Sequence, residues 1–331
     1  MTKLRVCLVI LLVVGIIATF SILPGCKETA GTEIKGGKLG YVAMDMKLSY
    51  FQSQWLAVQT IGTREGFTPV LMDPAFDTQK YIDQVDNLIA QKVFGILLSV
   101  WEPGLGAGAV KKIQEAKIPL VVMHVSAADT VKVATVEADN YKAGLLAGAE
   151  AARLWKEKNA DKKAVIAIIT NTDAPTNVQR TQGMVDAFQK EIPDAELVKT
   201  LDGGYDLEKS LAAGQDILTA NPDVNVIFTA HDTQAMGALG ALKGAGRGTW
   251  PDAIICSVDA SRQSSDEIKK SDSAFRVSIG NSPVTMTETS WGILKKVMTG
   301  EEVPPLTLHD MELVTIDNID AYLDKNFPVA K

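Results

Sequence analysis

Along the chain, short runs of β-branched and apolar residues alternate with longer stretches whose apolar positions return at helical spacing. The runs predict strands over Lys38 to Ala43, Pro69 to Met72, Gly95 to Ser99, Leu120 to His124, Ala164 to Thr170, Leu197 to Thr200, Val224 to Thr229, Ile254 to Val258 and Phe275 to Ile279. The helical spacing predicts helices over Tyr50 to Glu65, Thr78 to Gln91, Gly106 to Lys117, Tyr141 to Lys158, Asn177 to Lys190, Leu207 to Ala220, Thr233 to Gly244, Gln263 to Lys270 and Val284 to Thr299. Apolar strands separated by amphipathic helices make parallel sheets covered on both faces, so the fold class is α/β. In such sheets the loops at the carboxyl ends of the strands gather into a crevice that binds ligands. A one-sheet enzyme and a two-lobed binder both satisfy this pattern.

The start of the chain departs from the alternation. Lys3 and Arg5 precede an apolar run from Val6 to Phe20, and Leu23-Pro24-Gly25-Cys26 follows it. A basic start, a short apolar segment and small residues before a cut predict a secretory signal over residues 1–25. The string Leu-x-Gly-Cys resembles the lipobox of bacterial lipoproteins, which implies cleavage before Cys26 and lipidation of its thiol. The mature protein is then a lipid-anchored protein of the periplasm or the extracellular face of the cell membrane. A retained membrane anchor is the competing reading, but a spanning helix needs about 20 apolar residues and Val6 to Phe20 falls short. Residues 26–36 serve as a tether, since Thr29 to Gly37 is polar and glycine-containing. With Cys7 removed and Cys26 acylated, Cys256 stands alone in the apolar run Ala253 to Val258 as a buried core thiol, and no internal disulfide forms.

Composition narrows the function classes. The 331 residues suggest two domains at about 150 residues each. A net charge of −7 argues against nucleic acid as a partner, because that needs clustered Lys and Arg. Gly104, Gly106 and Gly108 lack the following Lys and Ser/Thr of a phosphate cradle, and Gly244-Ala245-Gly246-Arg247-Gly248 reads as a turn. The histidines are scattered and no Cys or His pair has metal-ligand spacing, so neither an enzyme nor a cofactor nor a metal is expected.

Three strings separate the two remaining architectures. Ala138-Asp139-Asn140-Tyr141-Lys142-Ala143-Gly144, then Asn221-Pro222-Asp223-Val224 with Ile227-Phe228-Thr229-Ala230-His231-Asp232, then Ala235-Met236-Gly237-Ala238-Leu239 resemble the periplasmic sugar-binding protein family, its ribose-binding branch above all. The resemblance covers about Lys38 to Val314. It implies a type I periplasmic binding protein: two Rossmann-like parallel-sheet lobes joined by three crossovers, a solute held between them, and delivery to the permease of an ABC transporter by a monomer. The crossovers fall near Ala138, Asn281 and His309. The first lobe is then residues 37–138 with 282–309, and the second 139–281 with 310–331.

The resemblance also implies a site. A sugar offers apolar faces and a ring of hydroxyls, so it wants flat aromatics and planar polar groups. Tyr50 and Phe51 stand where the family places stacking aromatics at the first helix, and Tyr205 stands at the equivalent position of the second lobe. Arg180 matches an arginine that grips hydroxyls with its forked donors, Asp259 a carboxylate that accepts from them, and Asn281 an amide at a crossover. Packing at a helix start, an exposed helix charge and a helix cap are the respective structural alternatives for the aromatics, Arg180 and Asp259. Ser99 and His231 replace asparagines of the ribose-binding branch, His124-Val125 replaces an Asp-Arg pair, Leu207 replaces a second arginine, and Trp101 adds an apolar face.

Those departures remove charged multidentate groups, and a buried hydroxyl without a partner costs roughly 1 to 3 kcal/mol. The expected ligand is therefore a sugar other than ribose, a polyol, or a sugar acid met by protonated His124 and His231 beside Arg180. Closure about the crossovers is the expected mechanism. Glu65, Asp83, Glu157 and Asp216 are rim charges open to pairing with a transporter or simply solvated. A sensor that presents the bound solute to a membrane receptor or sensor kinase fits the same residues.

Overall fold

The computed structural model describes residues 36–125, 127 and 130–327; the leader, Cys26 and most of the tether lie outside them. The first sheet is built from β1 (Lys38–Val42), β2 (Thr68–Met72), β3 (Gly95–Ser99), β4 (Leu120–Met123), β5 (Thr135–Ala138) and a late strand, β11 (Leu306–His309). The second is built from β6 (Val165–Thr170), β7 (Glu196–Asp202), β8 (Val226–Thr229), β9 (Ile254–Asp259), β10 (Phe275–Gly280) and β12 (Glu312–Val314). Their orders are β11-β5-β4-β3-β1-β2 and β12-β10-β9-β8-β6-β7. All recorded pairings are parallel except β10 with β12. These are two α/β lobes, each with a parallel-dominated sheet.

The helices are α1 (Ser49–Arg64), α2 (Thr78–Ala90), α3 (Pro103–Glu115), α4 (Asn140–Asn159), α5 (Pro175–Glu191), α6 (Leu207–Ala220), α7 (Asp232–Gly244), α8 (Arg262–Ile268), α9 (Pro283–Thr299) and α10 (Ile319–Asn326). In the second lobe, strand alternation explains the three layers. Val165, Ala167 and Ile169 of β6 enter a core with residues of α6, α7 and α10. Ile166 and Ile168, one position out of phase, enter a separate core with Trp155, Met184 and Phe188 of α4 and α5. Because both faces are covered, central strands such as β3 and β6 are buried at every position, while edge strand β7 is largely exposed. Cys256 lies in the α4/α5 core as a free buried thiol.

Several helix starts follow from side-chain caps. Asp77, Asp139, Asp206, Ser261 and Ser282 each accept from the backbone N–H three residues on, satisfying one of the orphan donors of the first turn. Helices α3, α5 and α9 begin at Pro103, Pro175 and Pro283, ahead of the predicted starts, because proline's missing N–H costs nothing there. Strands β5, β11 and β12 and helix α10 have no counterpart in the predicted set. Each is short, and neighbours rather than local periodicity determine it: β11 aligns on β5 from Leu306↔Thr135 to His309↔Ala138, and β12 on β10. The chain leaves the first sheet after β5, returns after β10 to place α9 beside α1, and leaves again between β11 and β12.

Candidate functional site

The carboxyl edges of both sheets carry the polar side chains of interest. In the first lobe, Tyr50 and Phe51 open α1 and meet the His124 ring at the end of β4, with centroids 5.6 and 5.5 Å apart and near-perpendicular planes. His124 takes a left-handed backbone, φ 78°, a conformation that costs a non-glycine residue roughly 1 kcal/mol or more. Its Nε2 lies 3.2 Å from Gln54 Oε1, which also accepts from the Tyr41 hydroxyl at 2.7 Å. Since that oxygen only accepts, Nε2 carries the His124 proton.

In the second lobe, Arg180 is buried on α5 rather than displayed on its surface. Its Nε donates to Asn140 Oδ1 at 2.8 Å, and Nη1 donates to the Ala230 carbonyl at 3.0 Å and to Asp259 Oδ1 at 3.2 Å. No hydrogen bond among the described residues uses Nη2. Asp259 ends β9 with φ 113°, and its carbonyl accepts from the Tyr322 hydroxyl. It does not cap the following helix; Ser261 does. The Asp259 side chain keeps 32% of its surface open. Burial pushes its carboxyl up to about 7, with the Arg180 charge pulling the other way and Asp232 adding to the rise. Burial likewise pushes the Tyr50 hydroxyl well up, with the Asp259 charge adding to the rise and the Arg180 charge opposing it.

The crossovers contribute two more groups. Asn281, between β10 and α9, and His309, at the end of β11, are buried, and Asn281 Oδ1, His309 Nε2 and the Tyr50 hydroxyl have no hydrogen-bond partner among the described residues. At the mouth, Tyr205 is 70% exposed and stacks on buried His231 at 4.7 Å with planes 11° apart. Behind them, Gln234 Nε2 donates to Asn171 Oδ1 at 2.7 Å and to the Gly204 carbonyl at 2.9 Å, while its Oε1 accepts from Ala230 N–H.

Tyr50, Phe51 and His124 thus cluster at the carboxyl edge of the first sheet and Arg180 with Asp259 at that of the second, while Asn281 lies in a crossover and Tyr205 stacks on His231. Trp101 stands apart: its ring packs edge-on against Tyr81 at 4.8 Å and Phe76 at 5.4 Å. Ser99 is buried at the end of β3, its carbonyl accepting from Tyr81. Leu207 is exposed at the start of α6. Among the rim charges, Glu65, Asp83 and Glu157 are engaged within their own lobes by Arg64 and Lys295, by Gln79, and by Arg153 and Lys158. Sequence reasoning missed the buried amides Gln54, Asn140 and Gln234 and the partly exposed Asn171: Gln54 meets His124, Asn140 accepts from Arg180, and Asn171 meets His231 and accepts from Gln234.

The expectation that the histidines supply positive charge is corrected. Burial, aided by the Arg180 charge, holds both His124 and His231 down at about 3, so each ring is neutral at ordinary pH. Arg180 Nη1 and Asp259 Oδ1 form an ion pair at 3.2 Å. Among the described residues, no group of His, Cys, Asp and Glu is placed to hold a metal. A groove of about 910 Å³ lies at the other end of the second sheet, lined by Lys163, Glu196, Asp223 and Arg247, far from these groups along the strands.

Comparison with known proteins agrees with the two-lobed α/β fold. The family model described as "Periplasmic binding protein domain" matches residues 39–302. The ribose import binding protein of Salmonella typhimurium is 26% identical over 267 residues, covering 80% of this chain and 86% of its own. A periplasmic solute-binding protein of an ABC transporter from Actinobacillus succinogenes, solved with D-allose bound, superposes with a TM-score of 0.77 at 22% identity, covering 86% of this chain and 100% of that one. A solute-binding protein from Bacillus halodurans, solved with myo-inositol, gives 0.74 at 20% identity over 88% and 99% of the two chains.

Proposed function

Because the chain belongs to the periplasmic binding protein domain family, we propose that it captures a neutral sugar or polyol between its two lobes, outside the cytoplasm, and hands it unchanged to an ABC-transporter permease. The observation that carries this reading is the Arg180–Asp259 fork at the carboxyl edge of the second sheet, with aromatic Tyr50 at that of the first and buried polar atoms that nothing among the described residues satisfies. Forked donors and a carboxylate suit vicinal hydroxyls, and rings suit the C–H faces between them. A relative named for ribose import and neighbours holding D-allose and myo-inositol support a neutral polyhydroxylated ligand. With the histidines neutral, a sugar acid is disfavoured.

The lobes divide as 37–138 with 282–309 and 139–281 with 310–331, hinged at the three crossovers. Ligand contacts to both lobes favour the closed form, which the permease then recognises. Cys26 is the lipid attachment point after removal of residues 1–25.

A thermal-shift screen of the mature domain with D-ribose, D-allose, myo-inositol and sugar acids tests the site. A ligand at 100 times its dissociation constant adds roughly 2.7 kcal/mol to stability, and Arg180→Ala and Asp259→Ala abolish that gain while the domain stays folded. Undiminished stabilisation in both variants refutes the assignment. For anchoring, Cys26→Ser moves the protein from the membrane fraction to the soluble fraction; retention on washed membranes refutes lipidation.

A further inference from the structure

The loops that follow β6, β7 and β8 are tied together by one side chain. Gln234, the third residue of α7, is fully buried, and its carboxamide reaches back past His231, the residue that precedes the helix. Its Oε1 accepts from the Ala230 N–H at 3.0 Å, and its Nε2 donates to Asn171 Oδ1 at 2.7 Å and to the Gly204 carbonyl at 2.9 Å. A backbone N–H only donates and a carbonyl only accepts, so the partners fix the orientation of the amide and both Nε2 protons are engaged. Asn171 follows β6, Gly204 follows β7 and Ala230 follows β8, so the ends of three neighbouring strands meet at a single group.

Two of those loops carry an aromatic pair. Tyr205 comes directly after Gly204 and His231 directly after Ala230, and the rings lie 4.7 Å apart with planes 11° apart. His231 is buried while Tyr205 is 70% exposed, so the Tyr205 ring has one face on His231 and its outer face open. Its hydroxyl accepts from Asn177 Nδ2 at 3.2 Å. The turn itself is repeated in the first lobe: Asp73-Pro74-Ala75-Phe76-Asp77 leads into α2 as Asp202-Gly203-Gly204-Tyr205-Asp206 leads into α6, with left-handed Ala75 (φ 55°) answering Gly204 (φ 56°). In both copies the first aspartate accepts from the N–H two residues on and the last caps the helix. They differ in what fastens the tip: Phe76 N–H donates to the Met44 carbonyl at 3.0 Å, whereas the second copy is held through the Gly204 carbonyl by Gln234. An aromatic ring on a loose loop weakens binding when the ligand must order it, and a buried, fully bonded amide removes that loss beforehand.

We propose that Gln234 is a positioning residue for ligand capture: by joining the three loops it holds Tyr205 flat on His231 before ligand arrives, with the outer face of the ring presented to a C–H face of the captured sugar or polyol. The proposal deepens the sugar-binding reading above and rests on it. Gln234 touches no ligand; it acts through Tyr205, whose flat face suits a ligand with C–H groups gathered on one side.

The test is a double-mutant cycle read by calorimetry, with whichever of D-ribose, D-allose and myo-inositol gives the largest thermal shift as probe. Gln234→Met keeps the length of the side chain and removes all three bonds; it weakens binding about tenfold in the otherwise unchanged protein and less than about twofold when Tyr205→Ala is already present. A purely structural defect weakens both backgrounds equally. In the ligand-free wild type, proton NMR shows nuclear Overhauser contacts between the Tyr205 and His231 rings, a readout that needs no variant to fold. The proposal is overturned by equal losses in the two backgrounds, by wild-type affinity in Gln234→Met or Tyr205→Ala, or by the absence of that ring contact in the free wild type. If Arg180→Ala abolishes binding while Gln234→Met leaves it intact, the sugar site stands and the Gln234 role falls. If wild type takes none of the three probes, both fall.

Discussion

Asp259 combines a left-handed backbone, a half-buried carboxylate and an arginine partner, and its titration makes it testable. Its folded value of about 7 lies above the ordinary 3.8, so the folded chain holds the proton more tightly than the unfolded one. The contribution of this group to stability is therefore full below about pH 3.8 and is lost as pH rises through 7. Binding runs the other way, because hydroxyls donate to the carboxylate form. Affinity for a neutral polyol accordingly falls roughly tenfold from pH 8 to pH 6, and Asp259→Asn flattens that profile; calorimetry across the range checks both. The positions of Arg180 and Asp259 were legible as a helix near a strand end and a strand terminus. The amides of Gln54 and Asn140 were not, since an amide on a helix looks the same in sequence whether it faces water or a buried guanidinium.

At the scale of elements, the site depends on how closely α4 and α5 pack. Gly144 and Gly183 let the two backbones touch: an added Cβ at Gly144 falls 2.1 Å from the Arg180 carbonyl oxygen, and one at Gly183 falls 2.4 Å from that of Tyr141. Backbone cannot yield as a flexible side chain does, so Gly183→Ala pushes α5 outward, at a cost of about 1 to 3 kcal/mol or more. Since α5 carries Arg180, ligand affinity drops along with the melting temperature, and a variant with unchanged affinity refutes the coupling. The Asp232 carboxylate serves the neighbouring wall, accepting from Ser261 N–H, Ser264, Ser278 and Ser257, and so holds the loop that follows Asp259. The main strands and helices were legible because both-face burial makes continuous apolar runs and one-face burial makes helical spacing. Strands β5, β11 and β12 were not, because three or four residues carry no period and their partners lie far away in sequence.

For the whole molecule, hinge closure is the property to measure. Small-angle scattering of the mature domain gives a smaller radius of gyration once a binding probe is added, and an unchanged radius despite calorimetric binding refutes closure. The two-sheet architecture shows how much of this protein its sequence determined. Local pattern set the α/β class, the order of the long elements and, through the family strings, two lobes. Each of those is written in contiguous residues whose own burial demands it. Only the tertiary structure decided that His124 and His231 are neutral, that Arg180 is committed to Asn140 and Asp259, that Trp101 packs on Tyr81 and Phe76, and that His309 Nε2 and Asn281 Oδ1 find no donor among the described residues. Protonation and hydrogen-bond satisfaction depend on desolvation and on neighbours brought from remote parts of the chain, and no window of sequence contains either.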